Sequence, residues 1–477
     1  MINLKNMEQL SISKLFQKEK EIFEAYKKES PELLMSSLIL EKDILPRIGI
    51  DISFPLRPQG YIRFYPQDFI VEEISRSGEI SEVDLKEKEI LPSFPFNLGF
   101  NLIKAGLPTL DSLNILAEAL QIKIRRISYA GLKDTDALTS QKIIIIDVGS
   151  DLFERIKRLS LPNIFLTNFS IEKEFLSPGR LMGNRFFIFI RTKGKIDEKQ
   201  FLINFEKIKK EGALNFYFSQ RFGESRFINH LLGKLILQGK YREAVFNFLV
   251  DSGLSEIPLI KSKREEAKSN FGNWQKMKKV FEEFPFTFRN EILLLSYLEK
   301  NPNDFLGALI TIKDMTQIFI FAYSSYLFNK ILSLDQDGLK LPEEIPLLLS
   351  DDWRDWKVYE HWLLIDKTQD FLENLKPFLK FFKLQKRFVK SRIFPKKNIF
   401  KILPEGVALS FILGKGSYAT TFLSNFFEIK AASPIPEWMN NKEYDIKKEF
   451  GLGSLDNIKK LDTFSFQSTK IKKEGKI

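Results

Sequence analysis

With 477 residues, of which 44% are hydrophobic and 28% charged, the chain is long enough to form two or three domains with substantial cores. The absence of cysteine excludes disulfides, thiolate nucleophiles and cysteine zinc sites, and the presence of only two histidines, His230 and His361, disfavours a histidine-rich metal centre. The formal net charge of +11 favours a polyanionic partner, with nucleic acid ahead of an acidic membrane surface, although a basic proteome or a lysine-rich thermophilic host would give the same balance.

The beginning of the chain predicts an extension followed by mixed secondary structure. Residues 1–56 are rich in lysine and glutamate at helical spacing, and their mixed charges predict no signal peptide. A turn at Pro66 and a strand over residues 69–74 are predicted next. A helix should follow, with Thr109 as its N-terminal cap. The apolar residues on one face of this helix are Leu113, Leu116, Ala117 and Leu120.

Residues 127–148 form the central stretch of the chain. A turn through Ala130 and Gly131 leads to Lys133, Asp134 and Asp136, and four isoleucines at 143–146 predict a buried strand. A carboxylate in a loop beside a strand is well placed to meet a substrate, because rigid scaffolds carry chemistry on their loops. The alternative is that the two aspartates only cap a turn or a short helix.

A second aromatic region follows. Residues 181–191 predict a turn and a β-rich strand, and residues 215–223 (NFYFSQRFG) combine four aromatics with Gln220 and Arg221. Such a mixture is typical of a surface that stacks bases and contacts phosphates. A core strand with a charged edge would give the same pattern, and the residues alone leave both interpretations open.

The remainder of the chain changes character. Residues 241–390 predict mainly helices, and the apolar run 315–328 is too short to span a bilayer, so it predicts a buried helix. Basic residues are dense over 384–401, and residues 408–423 predict a strand, a glycine turn and a helix. The lysine-rich tail after Glu428 is expected to be partly disordered.

Six motifs, in the same order, resemble the TruD family of tRNA pseudouridine synthases. The most specific is YAGLKDTDALTSQ (129–141), which is similar to the family pattern AGxKDxxAxTxQ. The others are RFYPQDFIVEE (63–73), LMGNRFFIFIR (181–191), NFYFSQRFG (215–223), AYSSYLFN (322–329) and FILGKGSYATTFL (411–423). Together they cover roughly residues 60–425.

The resemblance implies a fold and a domain organisation. The fold would be an α/β (α+β) pseudouridine synthase core, with a long, mostly antiparallel mixed sheet, an RNA cleft along one face, and an inserted second α/β domain. The catalytic domain would be split into two segments, 57–240 and 391–430, with the insertion (241–390) between them. An N-terminal extension (1–56) would precede it, and a lysine-rich tail (431–477) would follow.

The resemblance also implies a reaction and a site. Asp134 falls on the catalytic aspartate of a reaction that breaks the uracil C1′–N1 bond, rotates the base and rejoins it through C5, without metal or cofactor. The implied partner is tRNA, most often at uridine 13 of the D arm, and we expect a cytoplasmic monomer with no membrane contact. The residues implied to bind substrate are Arg63, Lys133, Asn215, Tyr217, Gln220 and Arg221.

Several departures from the family pattern are present. Arg63 replaces the usual lysine, Tyr217 the usual phenylalanine, Phe218 a common glycine and Gly414 a proline, but none removes the carboxylate. Two alternatives remain at this stage. One is a non-catalytic RNA-binding protein, and the other is a metal-dependent phosphatase that would use the Asp134-Thr135-Asp136 triplet.

Overall fold

The computed structural model describes residues 12–35, 41–52, 54, 57–85, 90–223, 225–348, 352–382, 386–430 and 435–461. These residues fall into two compact units. The helical unit takes the ranges Met1–Ser53 and Leu214–Ser391, and the sheet unit takes Phe54–Ala213 and Arg392–Ile477. The division therefore lies at Ala213, upstream of the domain boundary expected at residue 240, and it groups the N-terminal residues with the helical unit.

The described residues form strands and helices with the following bounds. In chain order the strands are β1 (Gln59–Tyr61), β2 (Phe69–Ser75), β3 (Phe96–Ala105), β4 (Ile127–Tyr129), β5 (Leu138–Val148), β6 (Ile164–Glu172), β7 (Leu181–Thr192), β8 (Ala213–Leu214), β9 (Glu344–Pro346), β10 (Phe388–Lys390), β11 (Arg392–Ile393), β12 (Lys396–Leu403), β13 (Gly406–Gly414) and β14 (Glu428–Lys430). The helices are α1 (Ile12–Glu29), α2 (Glu41–Ile44), α3 (Thr109–Ala119), α4 (Ser150–Lys157), α5 (Glu198–Glu211), α6 (Ser219–Phe222), α7 (Asn229–Leu237), α8 (Tyr241–Val250), α9 (Pro258–Ser269), α10 (Trp274–Phe281), α11 (Arg289–Leu298), α12 (Phe305–Thr311), α13 (Lys313–Ser333), α14 (Trp353–Trp356), α15 (Glu360–Ile365), α16 (Phe371–Leu375), α17 (Ala419–Leu423), α18 (Ile446–Glu449) and α19 (Asp456–Lys459).

One mixed sheet of ten strands forms the sheet unit. Its main path runs β12-β13-β7-β2-β5-β3-β6, while β1, β4 and β14 pair at its sides. Most pairs are antiparallel, but β2 runs parallel to β5 and β1 runs parallel to β14. This long, mostly antiparallel mixed sheet confirms the predicted fold class.

Side-chain alternation gives the sheet two apolar faces. Along β7, Phe186, Ile188 and Ile190 join the core that α5 and α17 cover, whereas Phe187 and Phe189 join the core on the opposite face. Successive residues of a strand point to opposite faces, so both faces of this strand must be apolar to be buried. The aromatic residues of β7 therefore pack into the cores on both faces of the sheet.

The C-terminal segment covers the second of these faces. Tyr444, Ile446, Leu455 and Ile458 are buried against it. The Lys447 side chain is 2% exposed, and its ammonium donates to Glu72 Oε1 at 2.8 Å. Residues 435–461 of the tail therefore form part of a core, whereas residues 431–434 and 462–477 lie outside the described residues.

The helical unit is built around α13. Much of this helix is buried, which confirms the predicted buried helix over 315–328. The N-terminal residues belong to its core: the buried carboxylate of Glu19 accepts hydrogen bonds from the Phe286 and Thr287 backbones at 2.8 and 3.0 Å. Among the described residues, no single helix is long and apolar enough to cross a membrane, and α12 and α13 pass that test only as a pair bent by 100°.

One local prediction is wrong. Thr109 does not cap α3: Pro108 occupies the cap position, and the Thr109 hydroxyl bonds instead to Lys133 and Gln141, which are distant in sequence. Residues 215–223 lead into α6, so the core strand, one of the two interpretations that their sequence left open, is not observed.

Candidate active site around Asp134

The loop between β4 and β5 carries Asp134, and side chains from other elements fix its backbone. The Lys133 N–H donates to Thr109 Oγ1 at 2.9 Å. Gln141 receives a hydrogen bond from that same hydroxyl at 3.1 Å and donates from Nε2 to the Gly131 carbonyl at 2.9 Å. Buried hydrogen bonds of this kind hold a loop in one conformation, since leaving their partners unpaired is costly.

The Asp134 carboxylate is held by Arg63. Arg63 Nη2 lies 2.6 Å from Asp134 Oδ1, and the two side chains are 16% and 27% exposed. Among the described residues no hydrogen bond reaches the second oxygen, Oδ2. One carboxylate oxygen is thus oriented by a guanidinium. Among the described residues, the Asp134 carboxylate makes no hydrogen bond with a backbone N–H, as a helix or turn cap would.

Arg63 itself is held in an unusual backbone conformation. Its φ is +60°, in the left-handed region that non-glycine residues rarely adopt. Its guanidinium lies 4.3 Å from the centre of the Phe69 ring, so a cation–π contact and the Asp134 ion pair act together. Strained backbone at an ion pair is typical of sites in which geometry is specified by function.

Lys133 points away from solvent. Its side chain is 3% exposed, and its ammonium lies 2.6 Å from Glu73 Oε2 and 3.0 Å from Asn184 Oδ1. Burial raises the pKa of Glu73, against the lowering effect of the Lys133 charge. These contacts favour a positioning role for Lys133 over the substrate contact that the motif implied.

Gly131 lies close to the buried ion pair of Lys133 and Glu73. A Cβ at this position would lie 3.3 Å from Lys133 Nζ and 3.5 Å from Glu73 Oε2. A side chain at this position would therefore lie in close contact with the buried ion pair.

Lys104, at the end of β3, contacts the same loop. Its fully buried ammonium donates to the Asp134 carbonyl at 2.8 Å and to the Leu107 carbonyl at 2.6 Å. Burial lowers the pKa of Lys104 to about 8, against the raising effect of the Asp134 charge, and the Lys133 charge lowers it further. Asp134 is therefore held at its carboxylate by Arg63 and at its carbonyl by Lys104.

Asp136 has a different environment from Asp134. It is exposed, and its charge, added to the larger effect of burial, raises the pKa of Tyr61 to about 12. Within the described ranges, no group of three or more His, Cys, Asp or Glu side chains is placed to hold a metal ion. The two aspartates of the triplet thus play different structural roles.

The other residues implied to bind substrate lie in the helical unit. Asn215 is buried and donates from Nδ2 to the Lys390 carbonyl at 2.9 Å. The Tyr217 ring is also buried, with its centre 5.5 Å from that of Phe328, and the Arg221 guanidinium lies 5.2 Å from it. Gln220 is exposed on α6. The contacts of Asn215 and Tyr217 are those of packed residues, whereas Gln220 is accessible to a partner.

A comparison with known families is decisive here. A sequence model described as tRNA pseudouridine synthase D (TruD) matches residues 57–346, which is more than half of the chain. The chain belongs to the TruD family. This finding confirms the resemblance that the six motifs carry.

Individual TruD relatives agree with the family match. Proteins described as "Probable tRNA pseudouridine synthase D" from Methanosarcina barkeri and Thermococcus gammatolerans are 30% and 33% identical to the chain, each over 60% of it and over 62% and 64% of the relative. The chain thus spans about three fifths of the length of these curated relatives.

A solved structure supports the fold. The crystal structure of a TruD protein from Methanosarcina mazei matches with a TM-score of 0.57 at 22% identity, over 82% of this chain and 99% of that one. The mixed sheet described above is therefore a TruD fold.

Several residues that build the site were not singled out from the sequence. Glu73, Gln141 and Asn184 each lie inside a TruD-like motif, so the motifs contained the signal, but nothing in them indicated that these side chains converge on one loop. Lys104 lies outside those motifs, and its only signal is a lysine at the end of an apolar strand. Asn329, the last residue of AYSSYLFN, anchors Tyr217 through hydrogen bonds to its backbone N–H and carbonyl at 2.9 and 2.8 Å.

Proposed function

We propose that this protein is a tRNA pseudouridine synthase that isomerises uridine, at position 13 of the D arm, with Asp134 as its catalytic residue. The observation that carries the proposal is the half-buried Asp134 carboxylate, oriented by Arg63 at 2.6 Å in a loop whose backbone is fixed by buried side chains. Membership of the TruD family supports the same reaction.

The proposed reaction is an isomerisation that needs no external reactant. The bond between C1′ and N1 breaks, the base rotates, and C1′ joins C5. N1 gains a proton and C5 loses one, so atoms and electrons balance. Asp134 either attacks C1′ or removes a ribose proton, and for both roles a carboxylate held in a fixed orientation lowers the cost of reaching the transition state.

The proposal assigns different roles to the two units. Catalysis belongs to the sheet unit, which carries Asp134 and Arg63. The helical unit contains the expected insertion, the N-terminal residues and residues 214–240, which were expected in the catalytic domain. Taking the target uridine out of its stack requires an accessible site and a basic approach. A tRNA substrate, no cofactor, a cytoplasmic location and a monomeric state belong to the same proposal.

The contacts of Asp134 favour this function over the alternatives. A divalent cation at the Asp134-Thr135-Asp136 triplet would have to lie beside the Arg63 guanidinium, which repels it. A protein that only binds RNA does not require a half-buried carboxylate oriented by an arginine whose backbone is strained. Neither alternative accounts for the fixed loop.

The test compares two aspartates that are two residues apart. Asp134→Asn removes the charge and the reacting oxygen, so tritium release from C5-labelled uridine in tRNA should fall at least ~10³-fold, equivalent to about 4 kcal/mol of barrier. Binding of tRNA in a filter assay should persist, because contacts to many phosphates dominate affinity. Asp136→Asn is the matched control and should keep most of the activity.

Three outcomes would count against the proposal. Normal turnover by Asp134→Asn with a dead Asp136→Asn variant would exclude the assigned carboxylate. Tight tRNA binding by a wild-type protein that leaves every uridine unchanged would indicate an RNA-binding protein. Magnesium-dependent phosphate release would indicate a phosphatase. Mapping of pseudouridine in cellular RNA with and without the gene identifies the target position.

A further inference from the structure

We propose that Lys104 is a positioning residue for Asp134, which fixes the backbone of the catalytic loop and adds a positive charge beside the carboxylate. The inference rests on the proposed catalytic role of Asp134. It assigns a reason to a fully buried lysine that takes no direct part in the reaction as described above.

Lys104 connects the catalytic loop to the chain that leads into α3. Its ammonium donates to the Leu107 carbonyl, two residues before α3, and to the Asp134 carbonyl, at 2.6 and 2.8 Å. Thr109, the first residue of α3, bonds to the Lys133 N–H at 2.9 Å. Two consecutive residues of the loop are thus tied to the start of one helix. A displacement of α3 would therefore move the backbone of Asp134, whose carboxylate is held separately by Arg63.

The donor of Lys104 is charged although both of its acceptors are neutral carbonyls. Two neutral carbonyls need only neutral donors, and burying an ammonium costs free energy unless negative charge lies close by. The residues paired with Lys104 on the neighbouring strands are Thr139 and Ile164, which are uncharged. The charge that raises the pKa of Lys104 is that of Asp134, and Lys133 opposes it. The Asp134 carboxylate therefore offsets part of the cost of burying this charged lysine.

Three basic side chains and two acidic side chains lie around the loop. Lys133 is paired with Glu73 at 2.6 Å and Arg63 with Asp134 at 2.6 Å. Lys104 adds a third cation to these two acidic groups. Its ammonium attracts the carboxylate charge of Asp134, on which either proposed role depends. Because burial holds the pKa of Lys104 at about 8, this contribution is present below pH 8 and is lost above it.

The experiment uses the full chain and a tRNA transcript. Lys104→Gln keeps a donor and removes the charge; we expect its single-turnover rate at pH 7.5 to fall 10- to 100-fold while the Kd for tRNA stays within twofold. The wild-type rate should decline above about pH 8, and the variant should lack this decline. Lys142→Gln is the matched control, since Lys142 is a half-buried lysine of β5 that pairs with Glu172 at 2.9 Å; it should keep the wild-type rate and profile.

The outcomes separate this inference from the proposed function. A fully active Lys104→Gln beside an inactive Asp134→Asn would overturn only the role of Lys104. A fully active Asp134→Asn, or a wild type that forms no pseudouridine, would refute the function itself. If Lys104→Gln fails to fold, the pH profile of the wild-type rate tests the electrostatic role of Lys104. A wild-type rate that is constant from pH 7 to 9, with an unchanged circular dichroism spectrum, would overturn that role.

Discussion

At the scale of single residues, the ion pair of Arg63 and Asp134 combines several constraints. The guanidinium contacts the carboxylate at 2.6 Å and the Phe69 ring at 4.3 Å, and the Arg63 backbone has a φ of +60°. A lysine, which the family pattern has at this position, carries a point charge and makes a different contact with a ring face. The replacement of lysine by arginine thus keeps the charge while adding a planar contact that restricts the side chain.

Tyr217 is the residue at which substrate contact and packing give different expectations. Its ring is 3% exposed and packs edge-on against Phe328, with centres 5.5 Å apart. We therefore expect Tyr217→Ala to lower the free energy of unfolding by about 3–5 kcal/mol, the cost of removing a buried aromatic ring. Tyr217→Phe keeps the ring and should be nearly neutral for pseudouridine formation. The measurements are urea denaturation, filter binding of tRNA and tritium release from C5-labelled uridine in tRNA.

The opposite pattern would restore the predicted base-stacking role of Tyr217. An Ala variant with wild-type stability, whose tRNA affinity fell by about 1–3 kcal/mol, would show that the ring serves the substrate. A Phe variant as damaged as the Ala variant would show that the hydroxyl matters.

At the scale of elements, the C-terminal segment is held by buried charges. Arg191 on β7 pairs with the buried Asp68 at 3.0 Å and donates to the Asn440 and Lys442 carbonyls, each at 2.9 Å. Lys447 on α18 pairs with the buried Glu72. Such pairs are costly to break, since removing one partner leaves an uncompensated charge in the core. The segment is thereby fixed in one register on the sheet.

Helix α7 carries a buried histidine that should make stability depend on pH. Burial lowers the pKa of His230 to about 4, although its hydrogen bond with the Arg47 backbone acts in the opposite direction. The imidazole stacks on Tyr326, with ring centres 5.2 Å apart. Between pH 6.5 and 4 the unfolded chain therefore binds a proton that the folded chain does not, so stability falls as the pH falls through this window.

The expected size of this effect is at most about 3 kcal/mol, from about 1.4 kcal/mol per pH unit. Urea denaturation at pH 4.5 to 8 measures it, with His230→Phe as the control that keeps an aromatic ring but cannot titrate. The variant should lose less stability on acidification than the wild type. Equal losses in the two proteins would show that other groups cause the pH dependence.

At the scale of the whole molecule, the net charge of +11 predicts RNA affinity that falls steeply with salt. The basic region 384–401 is less available than its sequence indicates. Lys386 lies 2.8 Å from Asp355, and Lys401 lies 2.6 Å from Glu449, so both are partly neutralised. Lys396 and Lys397 on β12 are exposed, whereas residues 384 and 385 lie outside the described residues.

Charge reversal tests these two lysines. Lys396→Glu with Lys397→Glu should reduce the slope of log affinity against log salt by about 1 to 2, the scale of two lost phosphate contacts. The matched control reverses Lys276 and Lys279 on α10, which are also exposed. If the double reversal on β12 left the slope at its wild-type value, this region would not contact RNA. An affinity that did not depend on salt would exclude phosphate contacts as the main source of RNA binding.

The sequence by itself determined the sheet elements and the candidate carboxylate. The apolar run of β5, the aromatic run of β7 and the charge-free apolar run of α13 are local patterns that predict secondary structure, and the structure confirms each of them. The TruD-like motifs likewise identified the family and Asp134, because they are contiguous in the chain.

Tertiary structure decided what the polar residues do. Thr109, expected to cap a helix, bonds to a loop 24 residues away. Residues 435–461 of the tail contribute to a core, where Lys447 pairs with the buried Glu72, 375 residues away. Lys133 faces Glu73 rather than solvent, and Lys104 reaches the Asp134 carbonyl from another strand. The role of a polar side chain depends on which partner satisfies its donors and acceptors. That partner comes from a distant part of the chain, so no local sequence pattern identifies it.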